Sequence, residues 1–401
     1  MVKKLRTDWF LFAIAASLAL FGTVMVYSAS AMISLQETAK NPDGASQFFY
    51  FYKQFGFTVL GLVVMLAASR IDYQLYQNKT VVYAILAFTA VLLLAVYGFP
   101  SINGARRWIR FAGMSLQPSE IAKIALPIFF AYFLTEKENA VGELKETVLP
   151  CVAVLGFFGA LIMFEPDLGT TMVLCVIFVT VYFAAGAKWL HIALTVGSLL
   201  VVGGAALILS PWRMKRLFAF LNPWENSSDG SYQVVQGLYA IGSGGILGEG
   251  FAKGQQKLFY LPYPYSDFIF AVVGEELGLM GTLAVVIAFG LLLWRGTRAA
   301  LLAPDRFGML LGIGIITGIV VQALFNISVV ISILPAKGIP LPFISYGGSS
   351  IIVTLFAVGI LLNISQYAGT VALKTAAKNG EVEKARRKKK RSSQEVAGSY
   401  R

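Results

Sequence analysis

Charged side chains are scarce in this chain, and the few that interrupt its apolar stretches fall at spacings that could do chemistry. The first group is Asn103-Gly-Ala-Arg-Arg-Trp-Ile-Arg110, followed by Gln117-Pro-Ser-Glu-Ile-Ala-Lys123. It sets Arg106, Arg107, Trp108 and Arg110 at the edge of an apolar segment, and Glu120 and Lys123 inside the next one. A charge within a membrane helix costs roughly 2.5–3.5 kcal/mol on insertion scales, so such residues usually have a task. A single cation near a helix end can simply snorkel to lipid headgroups. Two arginine clusters, each beside a tryptophan (Trp108, then Trp212 with Arg213, Lys215 and Arg216), favour an anionic-ligand site instead. The guanidinium fork grips phosphate or pyrophosphate through paired hydrogen bonds. Glu120 and Lys123 are three apart, so on a helix they share a face and can pair. They read either as a buried structural ion pair or as a polar floor beneath the anion site, with Lys123 near a phosphate.

The carboxylates come next. In Glu165-Pro-Asp-Leu-Gly-Thr170 the proline ends one helix, and Asp167 or Thr170 could cap the following one. Capping accounts for one acid but not for both Glu165 and Asp167. Two acids do not define a metal, so a divalent cation, Mg2+ or Mn2+, stays an open alternative and no other cofactor is indicated. Asp267 stands in Tyr265-Ser-Asp-Phe-Ile-Phe270 at the mouth of an apolar run. It is either a helix cap or a general base beside an anionic leaving group, because it shares its membrane face with the arginines. Glu275 and Glu276 follow as a partner for that acid or as polar packing contacts. The stretch Leu334–Ser350 holds three prolines and three glycines at membrane depth. Such backbone is tolerated only where it is buried in protein or lines a wet cavity, which Lys337, Ser345 and Ser349 could line.

The elements that must position these groups are membrane helices. The 401 residues are 57% hydrophobic and 13% charged, about half the charge of a soluble domain. Apolar runs fall near 8–30, 48–69, 80–99, 118–134, 147–164, 170–186, 188–210, 266–294, 307–333 and 349–368. Each approaches or exceeds the roughly 20 residues that cross a bilayer, which predicts an all-α, polytopic protein of about ten spans. Continuous rather than alternating hydrophobicity excludes a β-barrel. Lys3, Lys4, Arg6 and the run Arg386–Arg391 place both termini in the cytoplasm, with 371–401 as a basic tail. Arg70, Lys79, Lys137, Lys145, Lys188, Arg295, Arg298 and Arg306 fall inside on the same count. The net charge of +12 is then a topology signal and a lipid-attracted tail, not a nucleic-acid surface. The first span reads as an uncleaved anchor, since its apolar core outruns a signal peptide.

Other features read as packing. Cys151 and Cys175 lie in apolar runs and behave as small buried hydrophobes. His191, the single histidine, sits near the start of a run in a packing or interfacial role. The longest connection, about 211–265, faces outward and holds a glycine-rich Gly242-Ser-Gly-Gly-Ile-Leu-Gly-Glu-Gly250. No strand precedes it and no Gly-Lys-Ser/Thr follows, so it is a flexible or close-packed loop and not a nucleotide site. Within it, Tyr232, Val235, Leu238 and Tyr239 predict a helix over 232–241 lying along the membrane surface.

Together these stretches resemble the SEDS (FtsW/RodA-type) family of bacterial membrane proteins. The resemblance rests on Asn103-Gly-Ala-Arg-Arg-Trp108, Gln117-Pro-Ser-Glu-x-x-Lys123, Glu165-Pro-Asp-Leu-Gly-Thr170, Asp267-Phe-Ile-Phe-Ala271 with Gly274-Glu-Glu-Leu-Gly278, and Pro335-x-x-Gly-x-x-Leu-Pro-Phe-x-Ser-Tyr-Gly-Gly-Ser349. It implies a transmembrane glycosyltransferase domain over 1–370 that polymerises lipid II into peptidoglycan strands at the outer face of the cell membrane, for division or shape. Asp267 matches the family's essential acid, expected to deprotonate the acceptor 4-hydroxyl, with undecaprenyl pyrophosphate leaving and the anomeric carbon inverted. Arg106, Arg107, Trp108, Glu120 and Lys123 match its functional cavity residues. Tyr265-Ser266 departs from the usual His-Thr. Asn222-Pro-Trp224 and Gln256–Pro262 look more like the division and sporulation branches than the elongation branch. The resemblance also implies a class B penicillin-binding protein as partner, alongside other division or elongation proteins. Two rival readings stand beside it, a lipid II flippase and a non-catalytic scaffold of the division machinery.

Overall fold

A computed structural model describes residues 7–39, 46–101, 104–111, 114–221, 223–224 and 231–367. Lys3, Lys4, Arg6, Asn103, Asn222, Glu225, the tail 371–401 and the side chains of Trp212, Arg213 and Lys215 lie outside that set. Every one of the apolar runs is a helix: α1 (Trp9–Thr38), α2 (Phe49–Ala68), α3 (Lys79–Ala95), α4 (Pro118–Glu136), α5 (Leu149–Phe164), α6 (Leu168–Ala184), α7 (Trp189–Ile208), α10 (Ile269–Leu301), α11 (Arg306–Val330) and α12 (Gly348–Tyr367). The connections add α8 (Pro211–Leu221), α9 (Tyr232–Gly244) and an antiparallel hairpin of β1 (Ile109–Phe111) and β2 (Met114–Leu116). Among the described residues, seven helices are long and apolar enough to cross a membrane. The fold is an all-α polytopic membrane bundle.

The bundle is organised around α11, whose residues are mostly buried against α4, α6, α10 and α12. Close approach is what its glycines supply. A Cβ on Gly312 would come within 2.7 Å of the Ala300 Cβ, and one on Gly314 within 2.9 Å of the Cβ of Pro127, the proline inside α4. Small residues at crossings are how helices gain van der Waals contact where lipid removes the hydrophobic drive. The outward face is apolar, as on α7 with Leu200, Val201 and Val202 exposed.

The two ends of the bundle differ. At one end the helix termini are tied together. Tyr73 donates to Asp305, which caps α11 at Gly308 (2.7 Å); Tyr367 donates to Asp72 at 3.1 Å; Arg295 pairs with Asp8, the cap of α1, at 2.8 Å. At the other end the helices are interrupted. The run expected as one continuous span near 266–294 breaks at Gly278, whose φ of 65° and ψ of −161° are closed to a side chain. The glycine-rich loop fills that break and so is close-packed. The amides of Glu249 and Gly250 donate to the carbonyls of Glu275 and Glu276 (3.0 Å each), and the Leu279 amide donates to Gly245 (2.9 Å). A Cβ on Gly244 would meet the Gly274 carbonyl oxygen at 1.9 Å.

Glu276 anchors the next segment. It accepts from Lys257 (2.5 Å), Ser28 (2.6 Å) and the Ala252 amide (3.0 Å), all within protein. Glu275 accepts from the amides of Gln255 (2.5 Å) and Gln256 (2.9 Å). Both acids therefore hold the 250–258 loop on α10. The helix expected along the surface at 232–241 is α9, but it is half sunk into the protein. Val234, Val235, Gly237 and Ala240 face α10, and Tyr232 and Tyr239 are the exposed side.

Candidate functional site

The cleft sits at the interrupted end, where connections far apart in sequence meet. Arg107, Asp167, Gly169, Arg216, Lys337 and Gly338 are among the residues that line a cleft of about 90 Å³. Asp267 borders it at Gly338, where a Cβ would come within 2.9 Å of the Asp267 Oδ2. Asp267 does not cap α10, whose N-cap is Phe268 with no side-chain bond. Its carboxylate accepts from Ser266 (3.0 Å), and its main-chain oxygen accepts from Asn326 on α11 (2.7 Å). Enclosure raises the Asp267 pKa and the nearby Asp167 raises it further, while the Ser266 hydroxyl, Arg107 and Arg216 hold it down. An acid so placed is a better base than one in open water.

Each cation reaches the cleft differently. Arg107 lies on the arm leading into the β1–β2 hairpin. It donates through Nε to the Glu165 carbonyl (2.9 Å) and through its second terminal nitrogen to the Pro166 carbonyl (2.5 Å). Those acceptors are neutral, so its charge is not cancelled by them. Arg216, an exposed residue on α8, has its pKa lowered by partial burial and by Arg107, and raised by Asp267. Lys337 has its Nζ against the Met172 sulfur and no ion-pair partner among the described residues. Burial pushes its pKa down to about 8.

The acids of the Glu165–Thr170 turn split their roles. Asp167 caps α6, accepting from the Thr170 amide (3.0 Å) and hydroxyl (2.8 Å), and it also accepts from Gln117 (3.3 Å) at the head of α4. Glu165 is fully buried and neither carboxyl oxygen has a hydrogen-bond partner. Burial pushes its pKa up to about 8, Asp167 adds to the rise and Arg107 opposes it.

Several residues expected in one site are elsewhere. Arg106 donates to the Tyr97 carbonyl (3.0 Å), and neither it nor Arg110 on β1 is among the residues that line the cleft. Trp108 is half-buried and also outside that lining. Glu120 and Lys123 pair at 2.8 Å in a second, narrower cavity of about 20 Å³ between α4, α11 and α12. The lysine that lines the cleft Asp267 borders is therefore Lys337 and not Lys123. Lys123 also donates to Gln322, which in turn donates to the Pro340 carbonyl (2.8 Å), so the two cavities share the 335–342 segment as a wall. Ser345 is a brace: it receives the Leu341 amide (2.7 Å) and donates to the Ser266 carbonyl (2.7 Å). Tyr265 packs against Tyr50 and Tyr346, ring centroids 4.8 and 5.7 Å away. Among the described residues no group of three or more His, Cys, Asp or Glu could hold a metal ion.

Sequence reasoning weighed Arg216 only as one of a cluster and passed over Asn326 and Gln322. Their signal was available. Two amides four residues apart inside an apolar run share a helix face, and a polar face at that depth needs a partner.

A helical membrane bundle with a cationic cleft and a carboxylate at its interrupted end is the class that fold and site define. The cell cycle protein model for FtsW, RodA and SpoVE matches residues 8–370, and the chain belongs to that family. A probable peptidoglycan glycosyltransferase FtsW of Geobacter metallireducens is 43% identical over 365 residues, covering 90% of this chain and 95% of the relative. Stage V sporulation protein E of Bacillus subtilis is 39% identical over 368 residues, covering 91% and 99%. Among solved structures, a chain from a peptidoglycan synthase complex described as coordinating polymerization and crosslinking superposes with TM-score 0.73 at 25% identity, covering 91% and 99%. The rod shape determining protein RodA of Thermus thermophilus superposes with TM-score 0.64 at 26% identity, covering 90% and 97%.

Proposed function

We propose that the Asp267 cleft is where this chain, a peptidoglycan glycosyltransferase by family, extends glycan strands from lipid II. The observation that carries the reading is the meeting of Asp267, at the border of the cleft, with Arg107, Arg216 and Lys337 in its lining, which Asp167 shares. Asp267 takes the proton of the acceptor sugar's 4-hydroxyl as that oxygen bonds to the anomeric carbon of the donor. The bond from that carbon to the pyrophosphate oxygen breaks on the opposite face, so the centre inverts. The electron pair leaves on undecaprenyl pyrophosphate, whose new negative charge falls to Arg107, Arg216 and Lys337. Charge stabilisation of this kind acts strongly where water is excluded. Glu120 and Lys123 serve from the neighbouring cavity, through Gln322 and the wall the two cavities share.

The chain makes ten crossings of the bacterial inner membrane with both termini in the cytoplasm and the cleft outside, at the septum if the division branch holds. The convergence of connections after α3, α5, α7 and α11, all outer in that count, supports this arrangement. A class B penicillin-binding protein is the partner that crosslinks the strands. The test is polymerisation of labelled lipid II by purified protein in detergent, with and without that partner. Asp267→Asn should abolish polymer while the fold and partner binding persist, and Arg107→Ala or Lys337→Ala should weaken undecaprenyl pyrophosphate binding as well as turnover. Normal polymer from Asp267→Asn would end the base assignment. Translocation of lipid II in vesicles with no polymer would make the chain a transporter.

A further inference from the structure

Arg107 is fixed in an unusual way for a cation beside acids. Two of its donors go to the main-chain carbonyls of Glu165 and Pro166, while the Glu165 carboxyl, on the same residue as one of those acceptors, bonds to nothing. A carboxylate in that place would orient the guanidinium equally well, but it would cancel the charge. The carboxyl is fully buried, and an ionised group without partners there is far costlier than a neutral one. The charged and titratable groups whose fields reach it are Asp167 from the cap of α6, Arg107 from the arm before β1, and Tyr97 from the end of α3.

We propose that Glu165 is a positioning residue that stays protonated beneath Arg107, leaving the guanidinium charge for the anionic ligand of the cleft, and that ionising Glu165 switches this anion site off. Once ionised, the carboxylate's best partner is Arg107 itself. Pairing draws the guanidinium off its carbonyl anchors and neutralises it. The inference rests on the reading of the cleft as a pyrophosphate site and adds to it a proton that has to be present.

Undecaprenyl pyrophosphate is the probe, bound to purified full-length protein in detergent micelles at pH 7 and pH 9. Lys337→Met removes the cleft amine whose charge is lost in this range. In that background affinity should fall about tenfold between the two pH values, since a group with its midpoint near 8 keeps roughly a tenth of its protons at pH 9. Adding Glu165→Gln, which keeps the shape and cannot ionise, should restore at pH 9 the affinity seen at pH 7. A fall that survives Glu165→Gln overturns the proposal, and so does a flat profile in Lys337→Met alone. Infrared difference spectra of the unmodified protein give a second readout that needs no ligand. A neutral carboxylic-acid carbonyl band should be lost between pH 7 and 9 and be missing in Glu165→Gln, and a band unchanged by that substitution refutes the assignment. Should Arg107→Ala bind undecaprenyl pyrophosphate as tightly as the unmodified protein, the pyrophosphate reading itself fails.

Discussion

Lys337 and Glu165 are held on the uncharged side of their ordinary behaviour, and the pH consequences follow with definite signs. Lys337 titrates near 8 in the free protein against an ordinary value of 10.5, because burial penalises its charge. A bound pyrophosphate restores the charged form, so binding takes up a proton wherever the free amine is neutral. Affinity should therefore be highest below pH 8 and fall as pH rises through and above it; Lys337→Met should be weaker at pH 7 and lose its share of that fall. Calorimetry in two buffers of different ionisation heat reads the proton uptake directly, and zero uptake at pH 9 would contradict it. Glu165 bears on stability instead. Its pKa is raised from 4.5 to about 8, so the folded state binds the extra proton, and the stability this confers is complete below 4.5 and lost as pH rises through 8. Glu165→Gln should leave the midpoint of thermal unfolding less dependent on pH across that window, and above pH 8 should raise stability by roughly 1–3 kcal/mol, the cost of an unsatisfied buried group. A variant as pH-sensitive as the parent would show that Glu165 does not change its protonation across that window.

At the scale of elements, the broken α10 and the loop that mends it stand or fall together. Gly244 has no room for a methyl group, its virtual Cβ lying 1.9 Å from the Gly274 oxygen, and backbone cannot yield as a side chain can. Gly244→Ala should lower stability by about 1–3 kcal/mol or more, and thermal unfolding in detergent measures it. Gly242→Ala, with nothing within 4 Å, is the matched control and should be close to neutral. Lys257→Met removes the cation from Glu276 and should cost about 3–5 kcal/mol, much of it recovered by adding Glu276→Gln. Equal effects of the two glycine substitutions would refute the packing account. These elements also mark where the sequence stops being legible. Ten helices were readable because each apolar run approaches or exceeds the length a bilayer demands. The break at Gly278 was not, since one glycine inside an apolar run is compatible with a continuous helix. Strands of three residues, as in β1–β2, are too short for alternation to register. For α9 the spacing gave a helix, but its two apolar edges could not be ranked, and the buried one is centred on Val234 and Gly237.

For the molecule as a whole, charge in the wrong place was the legible part of the site. Arg107 and Lys337 stood out as cations, and Asp267 as an acid at the mouth of an apolar run, and all three reach one cleft. What charge and spacing could not supply is position around and along the bundle, so Lys123 was read as the floor of a cleft that Lys337 lines instead. The bundle is tied at the end carrying Asp8, Asp72 and Asp305 and interrupted at the end carrying Asp267. The proposed count of ten crossings would put the first of these in the cytoplasm and the second outside. That arrangement makes a direct prediction for a chain whose two cysteines, Cys151 and Cys175, have been replaced by alanine. A membrane-impermeant maleimide applied to intact spheroplasts should label Leu247→Cys, in the loop that mends α10, where Leu247 is 80% exposed. It should not label Glu143→Cys, exposed between α4 and α5, until the membrane is opened. Labelling of both from outside would mean that the helices between them do not cross as counted. Labelling of Glu143→Cys alone would invert the bundle and put the cleft in the cytoplasm, away from any growing strand.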